Sequence, residues 1–468
     1  MNETDIAWMP ATEMAAAIRA KRLSPVEVTE TLLARIERLQ PQVNAYAHVA
    51  GEQAMAAARG AEAAVMRGDP LGPLHGVPVG IKDLIPTRDM PTEFGSVTMR
   101  GHQPDTDAPV VTRMHDAGAV ILGKTTTSEF GWTGVSRSPL TGITHNPWKH
   151  GYNAGASSAG AGAAAAAGLG PLQHGSDGAG SIRMPAHFCG VFGLKPTYGR
   201  VPNYPVSLGD YTSHVGPMTR TVADAALLLR VMAGPHPLDH TSMEAPPADY
   251  PARLGEGVRG RRVAFSPDLG HARVDPEVAA LVAAAARQFE ALGARVEEVP
   301  TPWAAEGPEL IRRLWPGNLA HHLPKLATQA EVMDPGFVAC LRAGSDVTMT
   351  DYQQLRARKY AYIAALHTWF EGWDLLLTPA VSVAAFPADR LQPAHWPAHD
   401  WDWVSWAEFS YPFNFAGNPA ASVPCGFTSD GLPVGLQIVG RRFDDLGVLQ
   451  AAAAYEHAAP WAHHRPTL

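Results

Sequence analysis

The sequence contains few cysteines, few charged residues and no long apolar segment. Its three cysteines, Cys189, Cys340 and Cys425, are far apart and form no CxxC pair. This spacing excludes a disulfide framework and a cysteine-based zinc site, and it indicates a reducing compartment. Charged residues make up only 18% of the chain and the net charge is −8, which argues against a basic nucleic-acid-binding surface. No segment approaches the about 20 strongly apolar residues of a membrane span, and the acidic N-terminus does not resemble a signal peptide. We therefore expect a soluble, cytoplasmic protein.

Glycine and proline, in contrast, are abundant, with 44 and 41 residues in a chain of 468. Glycine does not recur at every third position, which excludes a collagen-like protein. Apolar residues make up an ordinary 46% of the chain, and with so few charges this excludes an intrinsically disordered protein. The composition therefore indicates a large globular protein that is unusually rich in glycine and proline.

Helical and strand patterns alternate along most of the chain. Ser24, Pro25 and Glu27 form a capping box, and residues 28–39 behind them carry one apolar helical stripe. The first 60 residues are predicted to be helical, and further helices are predicted at 109–117, 221–232 and 276–292. Strands are predicted at 76–83, 119–122, 263–265, 375–377 and 434–439. Alternating helices and short apolar strands are typical of an α/β fold with a sheet covered by helices on both faces.

Three motifs resemble binding sites but have simpler interpretations. Residues 118–125 match the phosphate-loop pattern GxxxxGK[ST], yet the four intervening residues are an apolar run that favours a strand over a flexible loop. Residues 160–165 match GxGxxA, but the preceding residues are small and polar where a buried strand is needed. His395 and His399 have the spacing of two zinc ligands on a helix, although Pro397 between them disfavours a helix. We predict a strand, helix packing and surface histidines, respectively.

The chemically informative segment spans residues 152–199. Two serines, Ser157 and Ser181, lie among glycines and alanines, where consecutive backbone N–H groups can point at one spot and bind an oxyanion. Upstream, Lys82 lies in an otherwise apolar strand, where its charge is costly unless it titrates or is paired. Structural alternatives stay open at this point: Ser157 as the N-cap of the alanine-rich helix, Ser181 as a turn residue, and Lys82 as a surface lysine beside Asp83.

These motifs resemble those of the amidase signature family. The resemblance covers nearly the whole chain. It is carried by LHGVPVGIKD at 74–83, GAVILGKTTTSEF at 118–130, the glycine–serine segments at 155–160 and 175–185, FCGVFGLKP at 188–196, GPMTRTVAD at 216–224 and GLPVGLQIVG at 431–440. The family fold implies a large twisted mixed sheet covered by helices. We expect one domain over 1–468, with N-terminal helices at 1–70, a signature core at 71–233, a connection at 234–260 and a C-terminal half at 261–468.

The resemblance implies a catalytic triad of Lys82, Ser157 and Ser181. Ser181 would be the nucleophile, Ser157 would relay its proton, and a neutral Lys82 would be the base, which is one of the serine–lysine arrangements of serine hydrolases. It also implies a cis peptide bond between Ala156 and Ser157. The oxyanion donors would be the N–H groups of Gly178, Ala179, Gly180 and Ser181. Ala156, Ala159 and Ala179 replace glycines that the family often has, and their N–H geometry survives only if φ stays negative. No cofactor or metal is implied.

The implied function is hydrolysis of an amide C–N bond through an acyl-enzyme, with an aryl amide or a carbamate (urethane) as further substrate classes. The alternative is a glutaminase-type subunit of an amidotransferase complex. The pocket walls are predicted to come from residues 126–141, including Trp132 and Thr133. A tryptophan-rich segment at 387–406 has two interpretations, surface packing or a substrate lid. The expected partner is a small amide or carbamate, with no nucleic acid and no membrane, and the sequence leaves a homodimer open.

Overall fold

An eleven-stranded mixed β-sheet organises the fold in the computed structural model, which describes residues 2–468. The fifteen strands found in this part of the chain are β1 (Tyr46–Val49), β2 (Pro78–Lys82), β3 (Val120–Thr125), β4 (Arg137–Ser138), β5 (Gly142–Ile143), β6 (His145–Asn146), β7 (Lys149–Asn153), β8 (Leu172–Asp177), β9 (Phe192–Lys195), β10 (His214–Thr219), β11 (Arg262–Phe265), β12 (Arg295–Glu298), β13 (Leu375–Pro379), β14 (Ala420–Phe427) and β15 (Pro433–Gly440). The large sheet has the order β1-β3-β2-β8-β10-β9-β14-β15-β13-β11-β12, and β4–β5 and β6–β7 form two small hairpins.

Helices pack around this sheet. The α-helices within residues 2–468 are α1 (Glu3–Trp8), α2 (Ala11–Arg19), α3 (Pro25–Val43), α4 (Gly51–Arg67), α5 (Pro109–Asp116), α6 (Ala159–Ala166), α7 (Arg183–Cys189), α8 (Val222–Met232), α9 (Pro276–Ala291), α10 (Gly307–Asn318), α11 (Leu326–Gln329), α12 (Pro335–Ser345), α13 (Met349–Phe370), α14 (Tyr411–Phe415) and α15 (Asp445–Ala458). Across this described range, no helix is both long and apolar enough to cross a membrane.

The predicted α/β architecture is confirmed, and most of the predicted elements are present within a few residues of their expected bounds. Ser24 caps α3, where its hydroxyl accepts hydrogen bonds from the N–H groups of Val26 (3.0 Å) and Glu27 (3.3 Å). The prediction of helices throughout the first 60 residues is wrong at β1, whose four residues pair with β3. Four residues are too few for a strand pattern to stand out, and their pairing depends on a partner some 75 positions away.

Three parallel strands carry the centre of the candidate site. β2 lies between β3 and β8 and runs parallel to both, so the carboxyl ends of all three strands meet at one edge. Lys82 ends β2, opposite Thr125 at the end of β3, and Asp177 ends β8. The carboxyl edge of parallel strands is the usual place for ligands in α/β proteins. The phosphate-loop match at 118–125 is explained, since residues 120–125 form β3 as predicted.

The small residues of α6 are explained by its packing. Every residue of this helix, Ala159–Ala166, is buried between the sheet and its neighbours. A Cβ on Gly160 would lie 2.3 Å from the backbone N of Thr126, so no larger residue fits there. The GxGxxA match therefore reflects close helix packing.

The sheet contains strands from both sides of residues 234–260. In that stretch the chain is mostly irregular, with one 3₁₀-helix at Pro251–Glu256. Three of the four tryptophans in the segment 387–406 are internal, because Trp403 and Trp406 are 1% and 0% exposed and Trp396 is also buried. These side chains belong to the hydrophobic core, which favours the packing interpretation over a lid.

Candidate active site

Lys82 is completely buried at the end of β2. Its Nζ lies 2.7 Å from Ser157 Oγ, 2.8 Å from Ser158 Oγ and 2.9 Å from Ser176 Oγ. Burial holds the pKa of Lys82 well below the ordinary lysine value of 10.5, and the more distant Asp177 carboxylate only partly opposes this effect. The surface-lysine alternative is therefore wrong. A neutral amine 2.7 Å from a serine hydroxyl has the geometry of a general base.

Ser157 connects Lys82 to Ser181. It lies just before α6, whose N-cap is Ser158, so the N-cap alternative for Ser157 is wrong. The backbone N–H of Ser157 donates to Ser181 Oγ at 3.3 Å, which places the two serines side by side. Their hydroxyls are not hydrogen bonded to each other in the described part of the chain, and both line the same cavity.

The expected cis peptide bond at Ala156–Ser157 is absent, and this prediction is wrong. Within residues 2–468 the cis peptide bonds are limited to Tyr204–Pro205. A trans bond is the strongly preferred state before any residue other than proline. With the trans bond, Ser157 Oγ still contacts Lys82 and the Ser157 N–H still reaches Ser181.

Residues 178–181 form a tight loop between β8 and α7. Among the four predicted oxyanion donors, the Gly180 N–H already donates to Asp177 Oδ1 at 2.6 Å. The N–H groups of Gly178, Ala179 and Ser181 have no hydrogen-bond partner within residues 2–468. Gly180 adopts φ +118°, which strains any residue with a side chain, and a Cβ there would lie 2.8 Å from Ser410 Cβ, so the loop favours glycine at this position.

The alanines that replace family glycines leave this geometry intact. Ala156, Ala159 and Ala179 all keep negative φ values, as the sequence analysis requires. The Ala179 carbonyl accepts a hydrogen bond from Ser410 Oγ at 2.6 Å, which fixes the plane of the following peptide. The added methyl groups therefore fit without a backbone change.

A buried ion pair holds the loop in shape. Asp177 accepts two hydrogen bonds from Arg183, at 3.0 Å from Nε and 2.9 Å from Nη2, and a third from the N–H of Ile182 at 3.2 Å. Both side chains are fully buried. Burial by itself would raise the pKa of Asp177, but the charge and hydrogen bonds of Arg183 outweigh it and hold this pKa below the usual carboxyl range. The paired carboxylate clamps both ends of the loop that presents Ser181.

The two serines open into a cavity of about 490 Å³. Its walls combine apolar and aromatic side chains with a few polar groups. The lining includes Leu84, Ile85, Phe94, Met99, Phe130, Gly131, Ser157, Ser176, Gly178, Ser181, Asn203, Tyr204, Pro205, Val206, Ser207, Leu208, Gly209, Thr212, Ser213, Trp315, Asn318, Leu319, His321, His322 and Lys325. A largely apolar cavity with a few convergent polar groups is typical of a small-molecule site.

The predicted pocket residues Trp132 and Thr133 do not line this cavity. Both are fully buried, and the Trp132 carbonyl accepts hydrogen bonds from the indole N–H groups of Trp315 and Trp403, each at 2.9 Å. The predicted wall segment 126–141 reaches the cavity through Phe130 and Gly131. Phe130 has φ 49° and Gly131 has φ 72°, and this turn directs the chain so that the aromatic ring at 130 faces the cavity.

The other predicted features lie away from this cavity. His395 pairs with Asp275 at 2.8 Å, and His399 Nδ1 accepts from the N–H of Asp402 at 3.0 Å. Both histidines are exposed, as predicted. Among the described residues, no group of three or more His, Cys, Asp or Glu side chains could hold a metal ion.

Several residues of the site were missed by the sequence analysis. Asp177 and Arg183 lie inside the glycine–serine segment, and an acid and an arginine among small residues were a signal for a buried pair. Ser158 and Ser176, which complete the contacts of Lys82, had no distinguishing pattern. Trp315 and Lys325 come from a distant part of the chain, and only the tertiary structure brings them to the cavity.

The fold and these contacts define a class of protein. It is an α/β protein whose mixed sheet presents, at the carboxyl edge of parallel strands, a buried lysine beside two serines at the foot of a cavity. These residue types are similar to those of serine hydrolases that use lysine in place of histidine.

Comparisons with known proteins identify the family within this class. A model of the Amidase family matches residues 27–449. The chain is 40% identical to an acylamidase from Rhodococcus erythropolis, over 100% of this chain and 98% of that protein. It is 35% identical to a glutamyl-tRNA(Gln) amidotransferase component from Chloroflexus aggregans, over 99% of both. The solved structure of a bacterial aryl acylamidase of the amidase signature family matches with a TM-score of 0.91 and 30% identity, over 97% of each chain.

The chain therefore belongs to the amidase signature family. It is a hydrolase that acts on the C–N bonds of linear amides.

Proposed function

We propose that this enzyme hydrolyses acylamides through Lys82, Ser157 and Ser181. The observation that carries the proposal is the fully buried Lys82 amine 2.7 Å from Ser157 Oγ, with Ser181 Oγ bonded to the N–H of the same serine. Burial lowers the pKa of Lys82 well below 10.5, which favours the neutral amine that can accept a proton from its serine partner.

The proposed reaction has two halves. Ser181 Oγ attacks the amide carbonyl carbon while its proton passes to Ser157, and the Ser157 proton passes to Lys82 Nζ. The C–N bond then breaks, and the proton returns through Ser157 to the leaving nitrogen, so an amine departs and an acyl-enzyme remains. Water, deprotonated by the same pair, attacks the ester and releases the carboxylic acid and Ser181.

The oxyanion of each tetrahedral intermediate would be bound by backbone N–H groups. Gly178, Ala179 and Ser181 supply the candidates, because the Gly180 N–H is bonded to Asp177. Donors held in place before the reaction stabilise developing charge without reorganisation. The Asp177–Arg183 pair contributes indirectly, as the support that keeps this loop in one conformation.

We propose an aryl or other bulky apolar acylamide as the substrate class. The cavity wall carries Phe94, Phe130 and Trp315, with the rings of Phe94 and Phe130 stacked at 5.9 Å. Two of the similar proteins are an acylamidase and an aryl acylamidase. Aryl carbamates present the same carbonyl and nitrogen leaving group, and the same scheme accommodates them.

The alternative function is that of a glutaminase-type subunit of an amidotransferase complex. It draws on the 35% identity with a glutamyl-tRNA(Gln) amidotransferase component. Glutamine, however, carries an α-ammonium group, and no Asp or Glu is among the side chains that line the cavity in residues 2–468. The α-ammonium group of glutamine would therefore find no carboxylate partner in the described lining. Glutaminase activity, or co-purification with a partner protein, would favour the alternative.

The same proposal extends to the localisation and the binding partners of the enzyme. We propose a cytoplasmic enzyme whose partner is a small amide or carbamate and which binds no nucleic acid; its three cysteines are unpaired. A homodimer stays a prediction, and the molar mass in solution, measured by light scattering, checks it.

The test compares wild type with Ser181→Ala on anilides, aliphatic amides and aryl carbamates. We expect wild type to prefer the anilides, and we expect Ser181→Ala to lose about 10⁴-fold or more in kcat on every substrate. Mass spectrometry of the quenched wild-type reaction should show the acyl group on Ser181. Full activity of Ser181→Ala would overturn the mechanism.

A further inference from the structure

The cavity has one formally charged side chain in its lining, and that charge has no anionic partner. The side chain is Lys325, and no salt bridge or hydrogen bond joins it to any group within residues 2–468. Two histidines lie close to it in the lining. Burial, together with His321 and Lys325 itself, lowers the pKa of His322 to about 3, and burial also lowers the pKa of His321. Both imidazoles are therefore neutral near pH 7, and among the described residues the lysine supplies the only positive charge in the cavity lining.

One segment of the wall connects this lysine to the serines. Lys325 Nζ lies 5.4 Å from the centroid of the Phe130 ring, within cation–π range. The next residue, Gly131, is beside the reaction centre, since a Cβ placed on it would lie 3.4 Å from Ser157 Oγ. A substrate lying along the Phe130 ring therefore extends from the serines toward the ammonium group.

The carboxyl group of Glu129, which interacts electrostatically with Lys325, is hydrogen bonded to other groups. Glu129 is fully buried, and its two oxygens accept hydrogen bonds from Ser96 Oγ and from the N–H of Asp334, each at 2.6 Å. Glu129 does not line the cavity. No salt bridge joins Glu129 to Lys325 among the described residues, so the ammonium group of Lys325 stays available to a ligand.

We propose that Lys325 is a specificity-determining residue that binds a carboxylate on the amide substrate, at the end away from the scissile bond. This inference rests on the proposed function and adds a substrate class to it, namely acylamides that carry an anionic group beyond an apolar or aromatic spacer. A charge-assisted hydrogen bond from an ammonium to a carboxylate is stronger than a neutral one, and the Phe130 ring holds the cation in position.

The test uses matched pairs of nitroanilides that differ only in charge. In one pair the acyl chain ends in a carboxylate or in its methyl ester; in the second pair the same two groups are placed on the anilide ring. Each pair is measured with wild type, Lys325→Met, Lys325→Glu and the control Lys149→Met. Lys149 is a partly exposed lysine that does not line the cavity.

We expect wild type to favour the carboxylate member of one pair, and the preferred pair shows whether the acyl or the amine side reaches Lys325. Lys325→Met should lower the ratio of kcat/KM for acid over ester about five- to tenfold, through KM and with kcat unchanged. Lys325→Glu should lower it further, Lys149→Met should not change it, and added salt should reduce the wild-type preference.

Unchanged ratios in both pairs with Lys325→Met and Lys325→Glu would overturn the inference and leave the proposed function standing. Retained activity in Ser181→Ala would overturn the proposed function instead. Calorimetric binding of the same compounds to Ser181→Ala, with and without Lys325→Met, gives a measurement that does not depend on turnover. Equal affinities for acid and ester in both proteins would also overturn the inference.

Discussion

The floor of the cavity and its outer wall are built in different ways. The floor comprises Lys82, Ser157 and the loop at 178–181, which lie at the ends of strands or beside fully buried helices. Here polar side chains are paired at short distances and the backbone at Gly180 favours glycine. The outer wall comes from residues 94–99, 130–131, 203–213 and 315–325, which are loops, 3₁₀ turns and the end of a helix. It includes side chains as exposed as Leu208, at 68%.

The difference indicates a division of labour. Groups that move protons must be held within a few tenths of an ångström, and a strand end with a buried ion pair behind it provides that rigidity. Groups that recognise the rest of a substrate tolerate change, and loops on a rigid scaffold are where such variation is accommodated. Substitutions in the floor should therefore affect kcat or folding, whereas substitutions in the wall should affect the choice of substrate.

The largest effect is expected for Lys82→Met. Methionine has a similar length and no base, so kcat should fall about 10³- to 10⁴-fold for all substrates. In wild type, protonated Lys82 cannot accept a proton, so activity should fall as the pH drops through the depressed pKa of Lys82, well below the ordinary 10.5. The pH profile of kcat/KM checks this point. The fall in kcat/KM at low pH should be absent from the residual activity of Lys82→Met. If the fall persists in this variant, it is caused by the titration of another group.

The next effect is on stability, for Asp177→Asn. Removing one member of a buried, hydrogen-bonded pair should lower the free energy of unfolding by about 3–5 kcal/mol. The matched control is Asp249→Asn, which breaks the half-exposed Arg230–Asp249 pair and should cost below about 1 kcal/mol. Because the pKa of Asp177 is lowered on folding, its contribution is present above the ordinary carboxyl value of 3.8 and is lost as the pH falls below it. Urea titrations at several pH values measure whether the contribution of Asp177 to the free energy of unfolding decreases at low pH. Equal losses of unfolding free energy in Asp177→Asn and Asp249→Asn would contradict the prediction.

The smallest effect is expected in the wall, for Phe130→Ala. Loss of the ring should lower kcat/KM for anilides about tenfold, mostly through KM, and should leave small aliphatic amides nearly unchanged. The control is Phe443→Ala, which removes a phenyl ring that is 53% exposed and not part of the cavity lining. A uniform loss across both substrate classes would show that the wall shapes the catalytic geometry too.

The residues that the sequence singled out for the floor lie close together in the structure, whereas the predicted wall segment 126–141 reaches the cavity through Phe130 and Gly131 rather than through Trp132 and Thr133. Lys82 was recognisable because the charge of a lysine in an apolar strand is costly unless it titrates or is paired. The two serines were recognisable because they lie among small residues. Trp132 was the wrong choice, since a turn with positive φ at Phe130 and Gly131 decides which aromatic ring faces the cavity. Trp315 and Lys325 could not be predicted as cavity residues, because the sequence around them contains no pattern that relates them to Ser181.

The sequence by itself determined the α/β alternation and singled out the glycine-rich loop and the lysine–serine set, all encoded in short segments whose residue types have a local physical reason. The tertiary structure alone decided that segments about 140 residues apart form one cavity whose described lining carries a single uncompensated charge. Local propensities act over a few residues, whereas a cavity wall is set by long-range packing, which a pattern within one segment does not encode.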